Sequence, residues 1–215
     1  MVSSKDGGGK SPPEKTRLTD RKRRAILDAA LAEFEANGFE ATSMDRIAAT
    51  ANVSKRTVYN HFDSKETLYD NMRREILQAI QHAVKPYEAT ETLASQLESI
   101  ARSHIKLHTS DAFMKFARVS VSRCIHSPAL AASSFKELRK SHYAMVQWIK
   151  DAAEDGRLAV ADPNLAAGQF IALLRARVLW PQLIGAQPKP SRKEQKMIIE
   201  STIAIFLDHY ATDGP

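Results

Sequence analysis

The chain has 215 residues and 43% of them are apolar, so it is long enough to bury one large hydrophobic core or two smaller ones. No stretch approaches the ~18 uncharged apolar residues that a transmembrane helix needs, and the first residues lack the apolar segment of a secretory signal peptide. The single cysteine, Cys124, excludes a disulfide within this chain and is typical of a reducing compartment. These features predict a cytoplasmic protein without a membrane segment.

Positive charge is concentrated near the start of the chain, whose formal net charge is +6. Residues 15–24 carry six basic side chains and one acidic side chain, whereas residues 25–65 carry four basic and six acidic ones. The segment 15–24 is interpreted either as part of a solvated tail or as an arm, ahead of the first helix, that lies along phosphates. Residues 1–16 are rich in Gly, Ser, Pro and Lys and are predicted to be disordered.

The spacing of apolar residues predicts about nine helices and no paired strands, which is an all-α fold. A first helix with Thr19 or Asp20 as its N-cap is predicted to end at Gly38, because glycine tolerates the left-handed conformation. Thr42 is predicted to cap a short second helix. Asn52 then occupies a tight turn that needs a residue able to accept a positive φ.

A third helix is predicted from Lys55 to Phe62, with Ser54 as its N-cap. On a helix of 3.6 residues per turn, Val58 and Phe62 share the inner face, whereas Arg56 and Asn60 point away from it. A fourth helix follows, for which Asp63 and Glu66 form a capping-box pattern, and it continues to Val84 before Pro86.

The rest of the chain predicts a second helical body. Helices are expected near residues 92–108, 113–125 and 133–153, then from Asp162-Pro163 through the "LWPQL" run, and finally from Ser191 to Tyr210 with a Ser191–Glu194 capping box. The last two helices are apolar over more than one stripe, which predicts a second buried surface made by self-association. The residues expected at that dimer interface are Phe170, Leu174, Ile198, Ile205 and Phe206.

The second and third predicted helices form a helix-turn-helix with a polar outer face. A helix fits the ~12 Å major groove of DNA, where arginine can bond guanine and asparagine can bond adenine. Tyrosine, threonine, serine and lysine side chains suit phosphate oxygens. The pattern therefore predicts binding to double-stranded DNA.

Residues 26–69 resemble the N-terminal domain of the TetR family of bacterial repressors. The resemblance is carried by fixed spacings over about a quarter of the chain, at Ala29-Ala30, Phe34, Gly38-Phe39, Thr42-Ser43, Ile47-Ala48, Val53-Ser54, Thr57-Val58-Tyr59, His61-Phe62, Ser64-Lys65-Glu66 and Leu68. The C-terminal half, with "DGRLAVADPNLAAGQFIALLRARVLWPQLIG", resembles the ligand-binding and dimerisation half of AcrR- or AefR-like members.

The resemblance implies a bacterial cytoplasmic protein, associated with the nucleoid when bound to DNA, that has no cofactor. It implies a homodimer that binds a pseudo-palindromic operator and is released by a small-molecule effector. It also implies a DNA-binding domain at residues 17–65, a connecting helix at 66–85 and a ligand-binding and dimerisation domain at 86–215. By position, Ser43, Tyr59 and Lys65 would hold phosphates, and Lys55, Arg56, Thr57, Asn60 and His61 would face the groove or its rim.

Two positions depart from the family pattern. Asn52 stands where glycine is common, which is a mild change. Arg56 stands where many members have glycine or a small residue, so the base preference of other members does not carry over. His61 also has a plainer interpretation, as a half-buried packing residue.

Several residues of the second body are candidates for a ligand site. His104 and His108 have the i, i+4 spacing of metal ligands on a helix, but no third ligand is spaced nearby, so a core or pocket-lining position is favoured. Cys124 is interpreted as an oxidant sensor or as an inert buried thiol. Arg175 could pair with an acidic ligand or an acid across the dimer, or lie on a solvated face. The aromatic candidates, each of which could equally be plain core, are Phe113, Phe116, Trp148 and Phe170.

Three functions compete at this point. A ligand-responsive repressor explains the outward Arg56 and Asn60 pair. A helical enzyme or metal-dependent protein is disfavoured, because the chain has no glycine-rich phosphate loop, no nucleophile elbow and no complete set of metal ligands. A ligand-independent structural DNA-binding protein would bind without sequence preference and with a steep salt dependence. We therefore expect a repressor that is not an enzyme.

Overall fold

The computed structural model describes residues 14–212, with side chains from residue 18 onward. The described residues form eleven α-helices, and their only β-type pairing is an isolated bridge between Leu158 and Ala211. The helices are α1 Glu14–Asn37, α2 Met44–Thr50, α3 Lys55–His61, α4 Lys65–His82, α5 Leu93–His108, α6 Asp111–His126, α7 Pro128–Ser141, α8 Tyr143–Glu154, α9 Pro163–Val178, α10 Trp180–Leu183 and α11 Arg192–Tyr210. The all-α prediction is confirmed.

The chain divides into two compact units, one up to Leu68 and the other from Tyr69 onward. Helices α1 to α3 supply the core of the N-terminal unit, in which Ile26, Phe34, Ile47 and Val58 are at most 2% exposed. The main core of the C-terminal unit is built from α5, α8, α9 and α11. A smaller apolar cluster, formed by Phe113, Met114 and Leu179 with partly buried neighbours, lies apart from that core.

Two predicted helices are each divided in two, which accounts for eleven helices instead of nine. The prediction of one helix at 133–153 is wrong, because the helix is interrupted at His142. The first of the two resulting helices, α7, begins at Pro128, more than one turn before residue 133. The predicted helix through the "LWPQL" run ends at Val178, and Pro181 lies in the first turn of the one-turn helix α10. A proline at the start of a helix loses no hydrogen bond, because the first N–H groups have no partner within the helix.

The start of α1 also differs from the prediction. The helix begins at Glu14 instead of after Thr19 or Asp20, so the basic segment 15–24 has a helical backbone and is not an arm ahead of the helix. Residues 14–24 contain no glycine or proline and are rich in Lys and Arg, which favour helix. The predicted disordered tail therefore fails for residues 14–16, and its residues 1–13 lie outside the described residues.

Two predicted caps are displaced by one residue. Ser43, not Thr42, caps α2, and its hydroxyl accepts a hydrogen bond from the Arg46 N–H at 3.3 Å. Thr42 is buried, and its hydroxyl donates to the carbonyl oxygens of Glu33 and Gly38 at 3.1 and 2.8 Å. The Asp63–Glu66 capping box does not form, because Ser64 accepts from the Thr67 N–H at the start of α4.

The remaining turn and cap predictions are confirmed. Asn52 has a φ of 52° and Gly38 a φ of 80°, both left-handed. The Ser54 hydroxyl accepts from the Thr57 N–H at 3.1 Å, and Ser191 and Glu194 form the predicted capping box. In the α2–α3 turn, the Val53 N–H donates to the Ala48 carbonyl at 3.0 Å, so this turn sets how α3 leaves α2.

Replacing Asn52 tests the constraint in this turn. Asn52→Ala should lower the free energy of unfolding by about 1 kcal/mol, because alanine tolerates a left-handed backbone poorly. Asn52→Gly should be close to neutral, since glycine has no Cβ to clash. Urea unfolding followed by circular dichroism measures both variants, and equal stability of the alanine and glycine variants would contradict this account of the turn.

Candidate functional site

Helix α3 is held by its inner face and its first turn. Val58 is fully buried and Phe62, the residue after the helix, is 3% exposed. The Ser54 hydroxyl caps the helix and also bonds the Thr57 hydroxyl at 2.8 Å. With its side chains an α-helix is about 10–12 Å across, which suits the ~12 Å width of a DNA major groove.

The outer face of α3 carries side chains that are free to bind another molecule. Arg56 and Asn60 are exposed one turn apart, and Tyr59 is 51% exposed. Within the described part of the chain, these three side chains have no hydrogen-bond or ion-pair partner. A guanidinium, an amide and a phenol without internal partners can hydrogen-bond base edges and phosphates without breaking contacts within the protein.

Lys55, Thr57 and His61 are less free than these three. The Lys55 ammonium pairs with the Asp45 carboxylate at 2.5 Å, and both side chains are more than half exposed. Such a surface pair contributes only about 0–1 kcal/mol, so a phosphate can replace the carboxylate. Thr57 and His61 are half-buried, which places them at the edge of the outer face.

Lys65 and Ser43 flank α3 in the N-terminal unit. The Lys65 ammonium donates to the carbonyl oxygens of Phe39 and Glu40, each at 2.9 Å, and lies 4.7 Å from the Phe39 ring centroid. Lys65 therefore ties the start of α4 to the loop before α2. Ser43 is exposed, and because its oxygen accepts the cap bond, its O–H remains available as a donor.

Two positioning residues have no counterpart in the sequence predictions. The Glu33 carboxylate accepts a hydrogen bond from the Thr50 hydroxyl at 2.6 Å and pairs with Arg46 at 3.3 Å, which fixes α2 against α1. The Arg23 guanidinium lies 5.5 Å from the Phe62 ring centroid and links α1 to the end of α3. No local pattern reveals these contacts, since the partners lie far apart in the sequence.

In the C-terminal unit the predicted ligand residues separate into four places. Trp148 is 1% exposed, donates to the Gln96 side chain at 3.1 Å and backs a cleft of about 320 Å³. Phe170 is fully buried in the main core. Phe116 stacks on Tyr69 at 5.2 Å, on the same helix as the half-buried Cys124.

The fourth place contains His104, His108, Phe113 and Arg175. His104 and His108 are 1% and 0% exposed, their ring centroids are 5.8 Å apart, and the Phe113 ring meets His108 edge-on at 4.8 Å. Burial, then the nearby Arg175 charge, lowers the pKa of His104 to about 4 and that of His108 to about 2. Both imidazoles are therefore neutral at physiological pH. Across the described residues, no group of three or more His, Cys, Asp and Glu side chains is arranged to hold a metal ion.

The predicted dimer residues are mostly core. Phe170 and Leu174 are fully buried and Phe206 is 2% exposed, so these three predictions are wrong for the free surface of one chain. Helices α9 and α11 do have a second apolar surface, but these three residues are not part of it. Ile205 lies on it and is 52% exposed, whereas Ile198 is half-buried.

Family comparisons agree with this architecture. Residues 26–72 match the bacterial regulatory proteins of the tetR family, and residues 95–212 match the C-terminal domain of AefR-like transcriptional repressors. The chain belongs to the TetR family. It is a DNA-binding transcriptional regulator, and the predicted likeness of its C-terminal half to AefR-like members is confirmed.

The similarity to individual proteins covers nearly the whole chain. A TetR family regulator from Pseudomonas syringae pv. tomato str. DC3000 is 41% identical, with a TM-score of 0.77 over 90% of this chain and 99% of that one. The uncharacterized HTH-type transcriptional regulator YhgD of Bacillus subtilis (strain 168) is 28% identical over 91% of this chain and 96% of its own length. The flavonoid-responsive regulator FrrA is 26% identical, with a TM-score of 0.71 over 91% of this chain and all of its own. No helix in the described part of this TetR family chain is long and apolar enough to cross a membrane.

The buried histidines predict an acid-sensitive fold. Because the pKa of His104 is about 4 in the folded protein and near 6.5 when exposed, the unfolded chain binds more protons between these values. Stability due to the neutral imidazole is therefore present above pH ~6.5 and is lost as the pH falls toward ~4. His104→Leu should lose less stability than the wild type over this range.

Thermal unfolding measured between pH ~6.5 and ~4.5 checks this prediction. His82→Leu is the matched control, because His82 is exposed on α4 and should keep the wild-type pH dependence. The same slope in all three proteins would contradict the assignment of a buried neutral His104.

Proposed function

We propose that this protein is a homodimeric repressor that recognises a pseudo-palindromic operator through α3 and releases it when a small-molecule effector binds the C-terminal unit. The observation that carries the proposal is the exposed pair of Arg56 and Asn60, which has no partner within the described part of the chain. The protein acts by binding, without catalysis, on DNA in the bacterial cytoplasm. Residues 17–65 bind DNA, residues 66–85, which include most of α4, connect the two domains, and residues 86–215 form the effector and dimer domain.

Each side chain of the DNA face has a role suited to its chemistry. Arg56 and Asn60 contact base edges, because a guanidinium bonds guanine O6 and N7 and an amide bonds adenine N6 and N7. Tyr59 and Ser43 donate to phosphates. Lys55 exchanges its exposed Asp45 partner for a phosphate.

The remaining predicted contacts lie at the rim of this face. Two N–H groups of Lys65 hold the backbone carbonyls of Phe39 and Glu40, and a phosphate would compete for the ammonium with the exposed Glu40 carboxylate, 3.7 Å away. Thr57 and His61, both half-buried, approach the groove edge.

A second copy of the chain is the proposed occupant of the outer surface of α9 and α11. This surface includes a groove of about 840 Å³ lined by residues such as Leu173, Met197 and Ile205. Met197 and Ile205 are 53% and 52% exposed and lie eight residues apart on one face of α11. Leu165 on α9 is 56% exposed as well. Apolar residues along two neighbouring helices are typical of a helical dimer interface.

Helix α4 is the proposed link between effector and DNA. Lys65 anchors it within the N-terminal unit, and Tyr69, four residues later, is anchored within the C-terminal unit by a 2.9 Å hydrogen bond to Ser120 and stacking on Phe116. An effector that shifts α6 therefore acts on the same helix face that holds Lys65. A coupling of ~1–3 kcal/mol between effector and operator suffices for regulation. The flavonoid-responsive FrrA supports control by a small molecule.

Selection of bound fragments from a random double-stranded DNA pool tests the proposal. The purified protein is used at ~0.15 M salt, where unspecific electrostatic binding is weakened. A palindrome with one fixed half-site spacing is expected. Binding without any enriched sequence would favour a structural DNA-binding protein, and no binding would refute operator recognition.

The two kinds of DNA contact predict different mutant phenotypes. Asn60→Ala should change the preferred base at one position of each half-site and remove about 1–3 kcal/mol of discrimination there. Tyr59→Phe should weaken binding to all sequences about equally, because a phosphate contact carries no base information. The selected sequences are compared with wild type for both variants, and an unchanged base preference in Asn60→Ala would refute this assignment of the reading face.

The dimer surface predicts a second phenotype. Ile205→Glu places a charge in the proposed apolar interface and should shift the protein from dimer to monomer, measured by sedimentation velocity. Ile125→Glu is the matched control, because Ile125 is 73% exposed on α6 and should leave the dimer intact. If Ile205→Glu remains a dimer, or if only Ile125→Glu becomes a monomer, the interface does not lie on the α9 and α11 surface.

A further inference from the structure

Four polar side chains from separate parts of the C-terminal unit form a cluster, in which His104 and His108 are buried and His142 and Arg175 are half-buried. His104 and His108 come from α5, His142 lies between α7 and α8, and Arg175 comes from α9. Helix α9, which carries Arg175, packs against both α5 and α8. The Arg175 charge, after burial, also lowers the pKa of all three imidazoles. His142 is the N-cap residue of α8, yet its side chain makes no capping bond.

The protein leaves this cluster without hydrogen bonds. Both ring nitrogens of His104 and of His108, together with Nε2 of His142 and Nε of Arg175, are buried and have no hydrogen-bond partner. A buried polar group left unbonded costs about 1–3 kcal/mol, and an unpaired buried charge costs more. A cluster of such groups needs a partner from outside the chain.

Six of the eight buried side-chain nitrogen and oxygen atoms that lack a partner among the described residues belong to this cluster; the other two are Arg73 Nε and Ser134 Oγ. Gln96 is 6% exposed, and its side chain bonds the Glu88 N–H, the Glu88 and Glu91 carbonyl oxygens and the Trp148 ring N–H. Gln96 shows that a buried polar side chain in this unit can have all its hydrogen bonds made within the chain. The cluster around Arg175 differs from that pattern.

The charge of the cluster selects the kind of partner. Burial lowers the pKa of Arg175 to about 10, so the guanidinium stays charged at neutral pH, and among the described residues no acidic side chain pairs with it. A metal cation would be repelled by this charge. Water could bond the imidazoles but could not neutralise the guanidinium. An anionic oxygen group meets both needs, because guanidinium binds a carboxylate through two parallel N–H donors and each neutral imidazole adds one N–H.

The apolar side chains next to the cluster indicate what the rest of the ligand is like. The Phe113 ring contacts His108, and Phe113 belongs to the smaller apolar cluster with Met114 and Leu179, next to partly buried Leu107 and Leu183. A ligand with its anionic group at Arg175 would meet apolar side chains beyond it. The site therefore fits an organic acid with an apolar body better than an inorganic anion.

We propose that Arg175, His104, His108 and His142 bind the carboxylate of an apolar organic acid, and that this acid is the effector. The inference rests on the proposed function for its regulatory part, since an effector is defined by its action on DNA binding. The binding site itself is independent of that part.

Calorimetric titration without DNA tests the site. Benzoate and decanoate are the acidic probes, and benzamide and decanamide are their uncharged counterparts. At least one acid should bind the wild type about tenfold or more tightly than its amide, because charge-assisted hydrogen bonds contribute ~1.5–3 kcal/mol. No preference for either acid would overturn the proposal.

Substitution of Arg175 assigns the preference to the cluster. Arg175→Met should reduce the preference to below about twofold, because the charge that distinguishes acid from amide is gone. Arg102→Met is the matched control, since Arg102 is exposed on α5 and paired with Glu98. An acid preference that persists in Arg175→Met, or disappears equally in Arg102→Met, would overturn the assignment.

A folding control accompanies these variants. Arg175→Met should melt at or above the temperature of ligand-free wild type, because it removes an uncompensated buried charge. Should that variant fail to fold, Arg175→Gln keeps amide donors without the charge and should show the same loss of preference. Loss of the fold in both would identify Arg175 as a structural residue and overturn the proposal.

The regulatory part has its own readout. Fluorescence anisotropy with a DNA fragment selected by the wild type measures release by the preferred acid. Release in wild type but not in Arg175→Met supports the effector role, and binding of the acid without release refutes that role. Specific DNA binding with no acid preference overturns this inference alone, whereas an acid preference without sequence-specific DNA binding overturns the proposed function instead.

Discussion

Burial of Val58 and Phe62 in the core of the N-terminal unit is the constraint on which DNA recognition depends. Helix α3 has seven residues, and isolated helices shorter than ~12–15 residues are marginal in water. Its conformation therefore comes from these two side chains and from the Ser54 cap. Because these two side chains hold the helix, Arg56 and Asn60 need no contact within the protein and remain free to bind another molecule.

The C-terminal unit differs from the N-terminal unit in where its polar groups without partners lie. Its main core is apolar, and the buried side chain of Gln96 has hydrogen-bond partners. Among the described residues, most of the buried side-chain nitrogens without a hydrogen bond lie in the cluster around Arg175. Such a cost is typical of sites that a ligand completes, because stability is exchanged there for affinity. The unpaired polar groups of the N-terminal unit thus lie on the exposed face of α3, whereas those of the C-terminal unit lie in the interior, around Arg175.

Features that depend on neighbours in the sequence could be predicted. Asn52, the Ser54 cap and the Ser191–Glu194 box each involve residues within three or four positions. Contacts between distant residues could not be predicted, such as Lys65 with the carbonyls of Phe39 and Glu40. The same limit explains the dimer residues: α9 and α11 are apolar on two sides, and periodicity does not tell which side meets the core. The break at His142 also has no local marker, because helix-forming residues continue through it.

Methylation interference on a DNA fragment selected by the protein tests the central claim most directly. Dimethyl sulfate marks guanine N7 in the major groove and adenine N3 in the minor groove, so the pattern reports which groove α3 enters. The account predicts that guanine N7 methylation blocks binding in two clusters about one or two helical turns apart, and that Arg56→Ala removes this sensitivity. Interference from adenine N3 alone, or a guanine pattern unchanged in Arg56→Ala, would contradict it.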